Sequence, residues 1–586
     1  MKLLKNISLL ILITIVQLSC KKDYLEKTPD EDLTLTEVFA SRSYAEQFLN
    51  NVYASLPTEA TFIDQGGRNP FIGASDEMEM TWTQYFCQNI NNGAWSASTG
   101  GTIDEMWIAP WQGIRKANIF LENVSAVPTT ATEINAWKGE AHFLRAFNYF
   151  LLFRVYGALP IISHSVSTDD DFTGYLRKPV GECVDFIAAD CDTAVSLLTM
   201  KQGTNNYGRA SAAAALALKA RLLLYAASPL FNGNTDYASV VDTLGTVLFP
   251  QTYDANKWQL AADAAKNCID QCLASGYSLY THSSNDPMKN YQYLFLDTWN
   301  NEVIYALNLG NYAHSERCST PISLGGWSGY DPTQEQVDEY EMNNGLPITD
   351  PNSGYVETGF ATQDDPNGYY ASGSRNMYVN REPRFYASVN YNGQYWRDHT
   401  IAFYLSGADG RGNGGVDYCI TGYTLKKFSD PDIRIATQST WPLKTWIYFR
   451  LGEMYLNYAE ALNEAQGAVD DVYKYVNLIR ERSGLPDLAS GLTQDEMRER
   501  IRHERRIELA FETHRYFDCH RWKIAQTTDN AAIHGMNTNV GSSLTDESYW
   551  VRTTLETRIF TTKHYLWPIP QSEIDKNKNL VQNYGW

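Results

Sequence analysis

Two stretches of this chain combine flat aromatic rings with amide and cationic side chains, the residue types that grip a sugar. The first, Asp76 to Trp95, contains Trp82, Gln84, Tyr85, Gln88, Asn89, Asn91, Asn92 and Trp95. The second, Arg317 to Tyr330, sets Arg317, Trp327 and Tyr330 in a Gly/Ser-rich run. A sugar ring offers a C–H face bordered by hydroxyls, so an exposed indole or phenol ring with hydrogen-bonding neighbours suits it. Trp82, Tyr85, Trp95, Arg317, Trp327 and Tyr330 are therefore the candidate ligand contacts. The competing reading is core, since 13% of the chain is aromatic and most such rings must be buried.

Catalytic patterns fail on inspection. Gly326-Trp-Ser328-Gly-Tyr330 has Tyr where a nucleophile elbow needs its second Gly. Gly410-Arg-Gly-Asn-Gly-Gly415 fits GxGxxG in letters, but Val416 to Ile420 reads as strand where a dinucleotide site needs a helix. His503-Glu504 has no following His for a zincin motif. Asp76, Glu77 and Glu79 contain enough carboxylates for glycoside hydrolysis, which needs two, although scattered acids are abundant here. Asp169-Asp170-Asp171 could offer hard oxygens to calcium, with a solvated loop as the alternative. No catalytic residue and no cofactor are expected, and the sequence leaves open whether a metal is bound.

The elements that must carry these loops are mainly helices. Amphipathic patterns predict helices over Ala136–Tyr156, ended by Gly157, and over Ala212–Ala227 behind Ser211 as cap. Further helices are predicted near 258–275, 446–466 and 470–482, and behind a Thr493/Glu496 capping box towards Trp522. Helix pairs joined by short turns suggest tetratricopeptide-like stacking, without a strict 34-residue period. Residues 276–445 are instead rich in Tyr, Trp, Gly, Asn and Pro, with short strand candidates such as Val303–Leu307. A connector of that length should have structure of its own. The expected organisation is 1–19 leader, 20–275 helical region, 276–445 loop-rich aromatic insert, and 446–586 second helical region with a docking tail, the last three in one body.

Composition narrows the partners. The chain has 48 basic and 68 acidic side chains, a net charge of −20. That field repels nucleic-acid phosphates and anionic lipid heads. Lys2 and Lys5 followed by the apolar run Ile7–Val16 form a secretory leader, too short to span a bilayer. Leu18-Ser19-Cys20 has the form of a lipobox, with Gln17 where Leu is usual, which makes Cys20 the candidate lipidated residue of an outer-membrane lipoprotein. Of nine cysteines, none forms a CxxC pair, so buried free thiols are expected.

The chain closes on Tyr565-Leu-Trp-Pro-Ile-Pro570 and a Glu573-led turn, and ends at Trp586, a tail expected to dock. With Ala141-His-Phe-Leu-Arg-Ala-Phe147, Arg450-Leu-Gly-Glu-Met-Tyr-Leu-Asn-Tyr-Ala459 and His503-Glu-Arg-Arg-Ile-Glu-Leu-Ala-Phe511, it resembles, block by block and in order, the SusD/RagB family of Bacteroidetes nutrient-binding lipoproteins. The resemblance implies a mostly α fold with four tetratricopeptide-like helix pairs. It also implies a cell-surface location, and a SusC-like TonB-dependent transporter as partner to which a captured glycan passes. Peptide capture or a structural lid role is the alternative. The charged block Glu504-Arg505-Arg506-Glu508, with Arg145, Arg450 and Glu453, reads as a structural network rather than a ligand site.

Overall fold

The computed structural model describes residues 33–57, 59, 69–167, 169–311 and 313–586. The leader and Cys20 lie outside them. The principal helices are α1 (Arg42–Tyr53), α2 (Thr102–Asn123), α3 (Ala131–Tyr156), α4 (Val180–Leu197), α5 (Ala212–Ala227), α6 (Asn256–Ala274), α7 (Leu451–Gln466), α8 (Asp470–Arg482), α9 (Gln494–Glu508) and α10 (His514–Arg521). From α2 to α7 each helix packs on the next, and α7 packs on both α8 and α9. The fold is thus mostly helical, built of tetratricopeptide-like pairs α2–α3, α4–α5, α6–α7 and α8–α9.

Local signals explain most helix ends. Ser211 Oγ accepts from Ala214 N at 3.1 Å to start α5, and Thr493 and Glu496 close a reciprocal capping box on α9. Gly157 ends α3 at φ +75°, a backbone state that costs glycine nothing. The run of alanines in α5 lets that helix sit against α4 and α6 with nearly every side chain buried.

Three expectations need correction. The helix predicted from Trp446 begins at Leu451, because Leu443–Arg450 is a strand paired with Val303–Asn311. The helix predicted to run from Thr493 towards Trp522 breaks after Glu508. Phe511 and Thr513 take φ of +61° and +68°, and α10 starts afresh at His514. The segment Val416–Ile420 is loop rather than strand.

The aromatic insert enters between α6 and α7, the two halves of one pair, and it carries short two-stranded ladders. The strands that matter below are β1 (Met78–Met80), β2 (Val303–Asn311), β3 (Tyr330–Pro332) and β4 (Leu443–Arg450). A second apolar cluster joins Tyr340, Tyr378, Phe385, Tyr391 and Tyr423 of the insert to Trp550 beyond it.

The charged block is interior. Arg450 reaches Glu302, Glu508 and Glu512 at 2.9, 2.7 and 2.8 Å. Arg384 reaches Glu504 at 2.5 Å, and Arg521 reaches Glu460 at 2.5 Å. The Arg450 and Arg384 pairs tie β4, α9 and the insert together, and the Arg521 pair ties α10 to α7. Arg145 stands apart from that network, bonded to Asp190 at 2.7 Å, and Glu453 pairs with Arg221 at 2.6 Å. The tail docks as expected. Trp567 is buried with its Nε1 donating to Tyr516 Oη at 3.0 Å, and Trp586 Nε1 lies 3.0 and 2.9 Å from the carbonyls of Lys563 and Leu566.

Candidate functional site

The two candidate loops meet because β1 pairs antiparallel with β3, Met80 opposite Tyr330. The contact continues beyond the ladder, with Thr81 Oγ1 donating to the Ser328 carbonyl at 3.3 Å. Residues 325–329 then fold back on the short helix Ala313–Ser319. Trp327 N donates to the Arg317 carbonyl at 2.7 Å, and Gly329 N to the Cys318 carbonyl at 2.8 Å. Gly329 is required here, since a Cβ would drive into the six-membered ring of Trp82. One small residue therefore seats Trp82 beside the loop that carries Trp327.

Trp327 is half-buried, its ring 5.3 Å from the His314 ring in an edge-on contact. The Arg317 guanidinium lies 5.9 Å from the Trp327 ring centre and 5.5 Å from that of Trp441. Stacking between two indoles holds it by cation–π attraction, and it makes no hydrogen bond or ion pair among the described residues. Its five N–H donors remain for a ligand. Behind it Glu316 is buried, bonded to Arg397 and, at 2.5 Å, to Lys444. Burial would raise that carboxyl, but Lys444 and Arg397 outweigh it and hold it below its ordinary value. Burial also lowers His314 below the ordinary histidine value.

Trp82 is half-buried, with Nε1 donating to Asp417 Oδ1 at 2.9 Å and its ring edge-on to Tyr85 at 6.0 Å. Tyr85 is half-exposed. Among the amides, Gln88, Asn89, Asn91 and Asn92 are spent on internal hydrogen bonds. Gln84 is exposed and has no such bond among the described residues.

Two candidate contacts are core. Tyr330 is 0% exposed, because every residue of β3 is covered. Trp95 is 4% exposed. Its ring lies 5.1 Å from Trp567 and 4.5 Å from Trp586, so the docked tail closes over it. Neither ring presents a face to solvent.

The carboxylates at 76–79 are also interior. Asp76 takes a bidentate pair from Arg515 at 2.7 and 2.8 Å, and burial is outweighed by Arg506 and Arg515, which hold it far below the usual carboxylate range. Glu77 accepts from Phe511 N at 3.0 Å, and burial pushes it up to about 8. Glu79 pairs with Arg558. These three carboxylates anchor neighbouring segments. Asp170 and Asp171 spend carboxylate oxygens on the Ser167 and Thr173 amides, as turn formers do.

A cavity of about 760 Å³ lies elsewhere, between α2, residues 160–175 and the short helix Gln571–Lys576. Its walls include Ile108, Trp111, Phe172, Tyr175 and Leu580. Trp107 is buried and Trp111 half-buried, both inside α2, which continues through Pro110.

Sequence reasoning missed His314, Trp441 and Asp417. His314 and Arg317 are three residues apart on one helical turn, a spacing readable from sequence once that helix is known. No local signal marked Trp441, which enters from the far end of the insert.

Residues 279–586 match the family model described as "SusD family", and residues 23–224 match one described as "Starch-binding associating with outer membrane". The chain is 24% identical to SusD-like protein P2 of Formosa agariphila, over 100% of this chain and 99% of that one. It is 22% identical to the starch-binding protein SusD of Bacteroides thetaiotaomicron, over 84% of this chain and 80% of that one. The solved structure of a SusD-like protein from Bacteroides fragilis superposes with a TM-score of 0.75 at 26% identity, covering 94% of this chain and 98% of that one.

Proposed function

Because the chain belongs to the SusD family, we propose that it is a non-catalytic binding protein that captures an oligo- or polysaccharide and passes it to a SusC-like TonB-dependent transporter in the outer membrane. The observation that carries the reading is the half-exposed group Trp327, Arg317, Trp441 and His314, with Trp82 and Tyr85 brought alongside by the β1–β3 ladder. A sugar face stacks on the Trp327 indole while the stacked guanidinium of Arg317 donates to its hydroxyls. Both groups are held before the ligand arrives, so little conformational freedom is lost on binding. Gln84 and Asp417 supply further polar contacts at the edge. In this reading Cys20 carries the lipid that holds the protein at the cell surface. No helix among the described residues is long and apolar enough to cross a membrane.

The test is affinity electrophoresis of the lipid-free chain, beginning after Cys20, against plant, host and microbial polysaccharides. One class should retard the wild type. Trp327→Ala should lose about 2 kcal/mol of binding, roughly thirtyfold in affinity, while its melting temperature stays within a few degrees. Release of reducing ends by the pure protein would overturn the non-catalytic assignment.

Peptide capture is the second reading, favoured by the apolar walls of the 760 Å³ cavity. It expects peptide binding that Trp111→Ala weakens and Trp327→Ala leaves alone.

A further inference from the structure

After α10 the chain turns through the short helix Ala525–Thr528 and returns Asp529 towards Cys519, His520 and Asp76. Asp76, Cys519 and Asp529 are all buried, and one donor atom from each lies within 4.8 Å of the others. Asp529 is only 5% exposed, yet neither carboxylate oxygen meets a hydrogen-bond donor among the described residues. The neighbouring Thr528 hydroxyl donates to the Ile524 carbonyl at 3.5 Å. Burial, with Asp76 adding to it, pushes Asp529 up to about 7.

His520 stands beside the group without belonging to it. It is 3% exposed, and its Nε2 also lacks a hydrogen-bond partner among the described residues. Nδ1 lies 3.1 Å from the Tyr565 carbonyl, which can only accept, so the proton sits on Nδ1 and Nε2 presents a lone pair. That lone pair stands 3.9 Å from Asp529 Oδ2. The gap is too long for a hydrogen bond. Orientation of a ligating carboxylate by hydrogen bonds is the usual outer arrangement of metal sites. Here the bidentate Arg515 on Asp76 supplies it.

We propose that Asp76, Cys519 and Asp529 form a buried site for a divalent transition-metal ion, zinc by its mixed oxygen and sulfur donors. A soft thiolate selects zinc over calcium or magnesium. On binding, the Cys519 thiol gives its proton to solvent, as does Asp529 where it carries one, and the metal takes both anions as ligands. The ion ties α10 and the turn behind it to the segment that leads into β1.

The lipid-free mature chain, expressed with zinc in the medium and dialysed, should carry about one zinc per chain by mass-spectrometric metal analysis. The same chain, unfolded and refolded with Co²⁺, should show a thiolate-to-cobalt charge-transfer band in the near ultraviolet. Cys519→Ser should abolish that band, and Asp529→Asn should cut the zinc content to below about a tenth of an equivalent. The wild-type measurements need no variant to fold. Absence of zinc and of the cobalt band by both routes overturns the proposal. So does zinc that persists in Cys519→Ser and Asp529→Asn, which would place the ion elsewhere.

Discussion

Residues of one chemical type divide here according to what covers them. Trp95 and Trp327 are both tryptophans in loops with polar neighbours. Trp95 packs on Trp567 and Trp586, whereas Trp327 touches His314 and Arg317 and keeps part of its face in solvent. Opposite mutational signatures follow. Trp95→Ala should cost about 3–5 kcal/mol of stability, read as a lower urea midpoint. The folded fraction should bind ligand with unchanged affinity. Trp327→Ala should do the reverse, and a Trp95→Ala protein that folds normally but no longer binds would return Trp95 to the site. The amides sort in the same way, with Gln84 left outward and its neighbours used inside the loop.

At the scale of elements, the site depends on one short ladder and one residue without a side chain. β1 and β3 are three residues each, and their pairing joins loops about 250 positions apart. Gly329 lies under the Trp82 ring with no room for a methyl group. Gly329→Ala should therefore weaken polysaccharide binding at least about fivefold, by about 1 kcal/mol, although neither aromatic is altered. Isothermal titration of that variant beside the wild type checks it, and unchanged affinity would mean that Trp82 does not contribute to the surface. Most helix ends were legible in sequence, because caps and breakers are local: Ser211, Thr493 with Glu496, and Gly157 each act within one turn. The start of α7 was not, since Leu443–Arg450 becomes strand only by finding β2 across the insert.

The whole molecule is held by a lattice of buried arginine–carboxylate pairs linking the helical pairs to the insert. Breaking such a pair by removing one partner typically costs 3–5 kcal/mol. Glu460 shows the pH consequence. Burial would raise its carboxyl, but Arg521, Arg505 and the Trp522 indole outweigh it and hold it at about 2, against an ordinary value of 4.5. A folded-state value below the unfolded one adds stability that is full above pH 4.5 and is lost as pH falls towards 2. The amount is about 3 kcal/mol. Glu77, raised to about 8, works in the opposite direction and loses its contribution as pH climbs from 4.5. The urea midpoint should therefore peak in the mildly acidic range and fall steeply below pH 4.5. A midpoint unchanged between neutrality and about pH 3 would show that these ion pairs add nothing net.

The sequence by itself determined the helical periodicity, the caps, the four ordered blocks that mark the family, and the docking of a tail that ends in Trp586. All of these depend on neighbours within a turn or on a motif read along the chain. Only the tertiary structure decided which aromatics face water. Trp95 and Tyr330 are covered by segments distant in sequence, and Arg317 acquires its second indole from Trp441, more than a hundred residues away. Exposure depends on what packs over a ring, and that partner leaves no trace in the ring's own neighbours. The same holds for the buried meeting of Asp76 with Cys519 and Asp529, which no spacing along the chain announces.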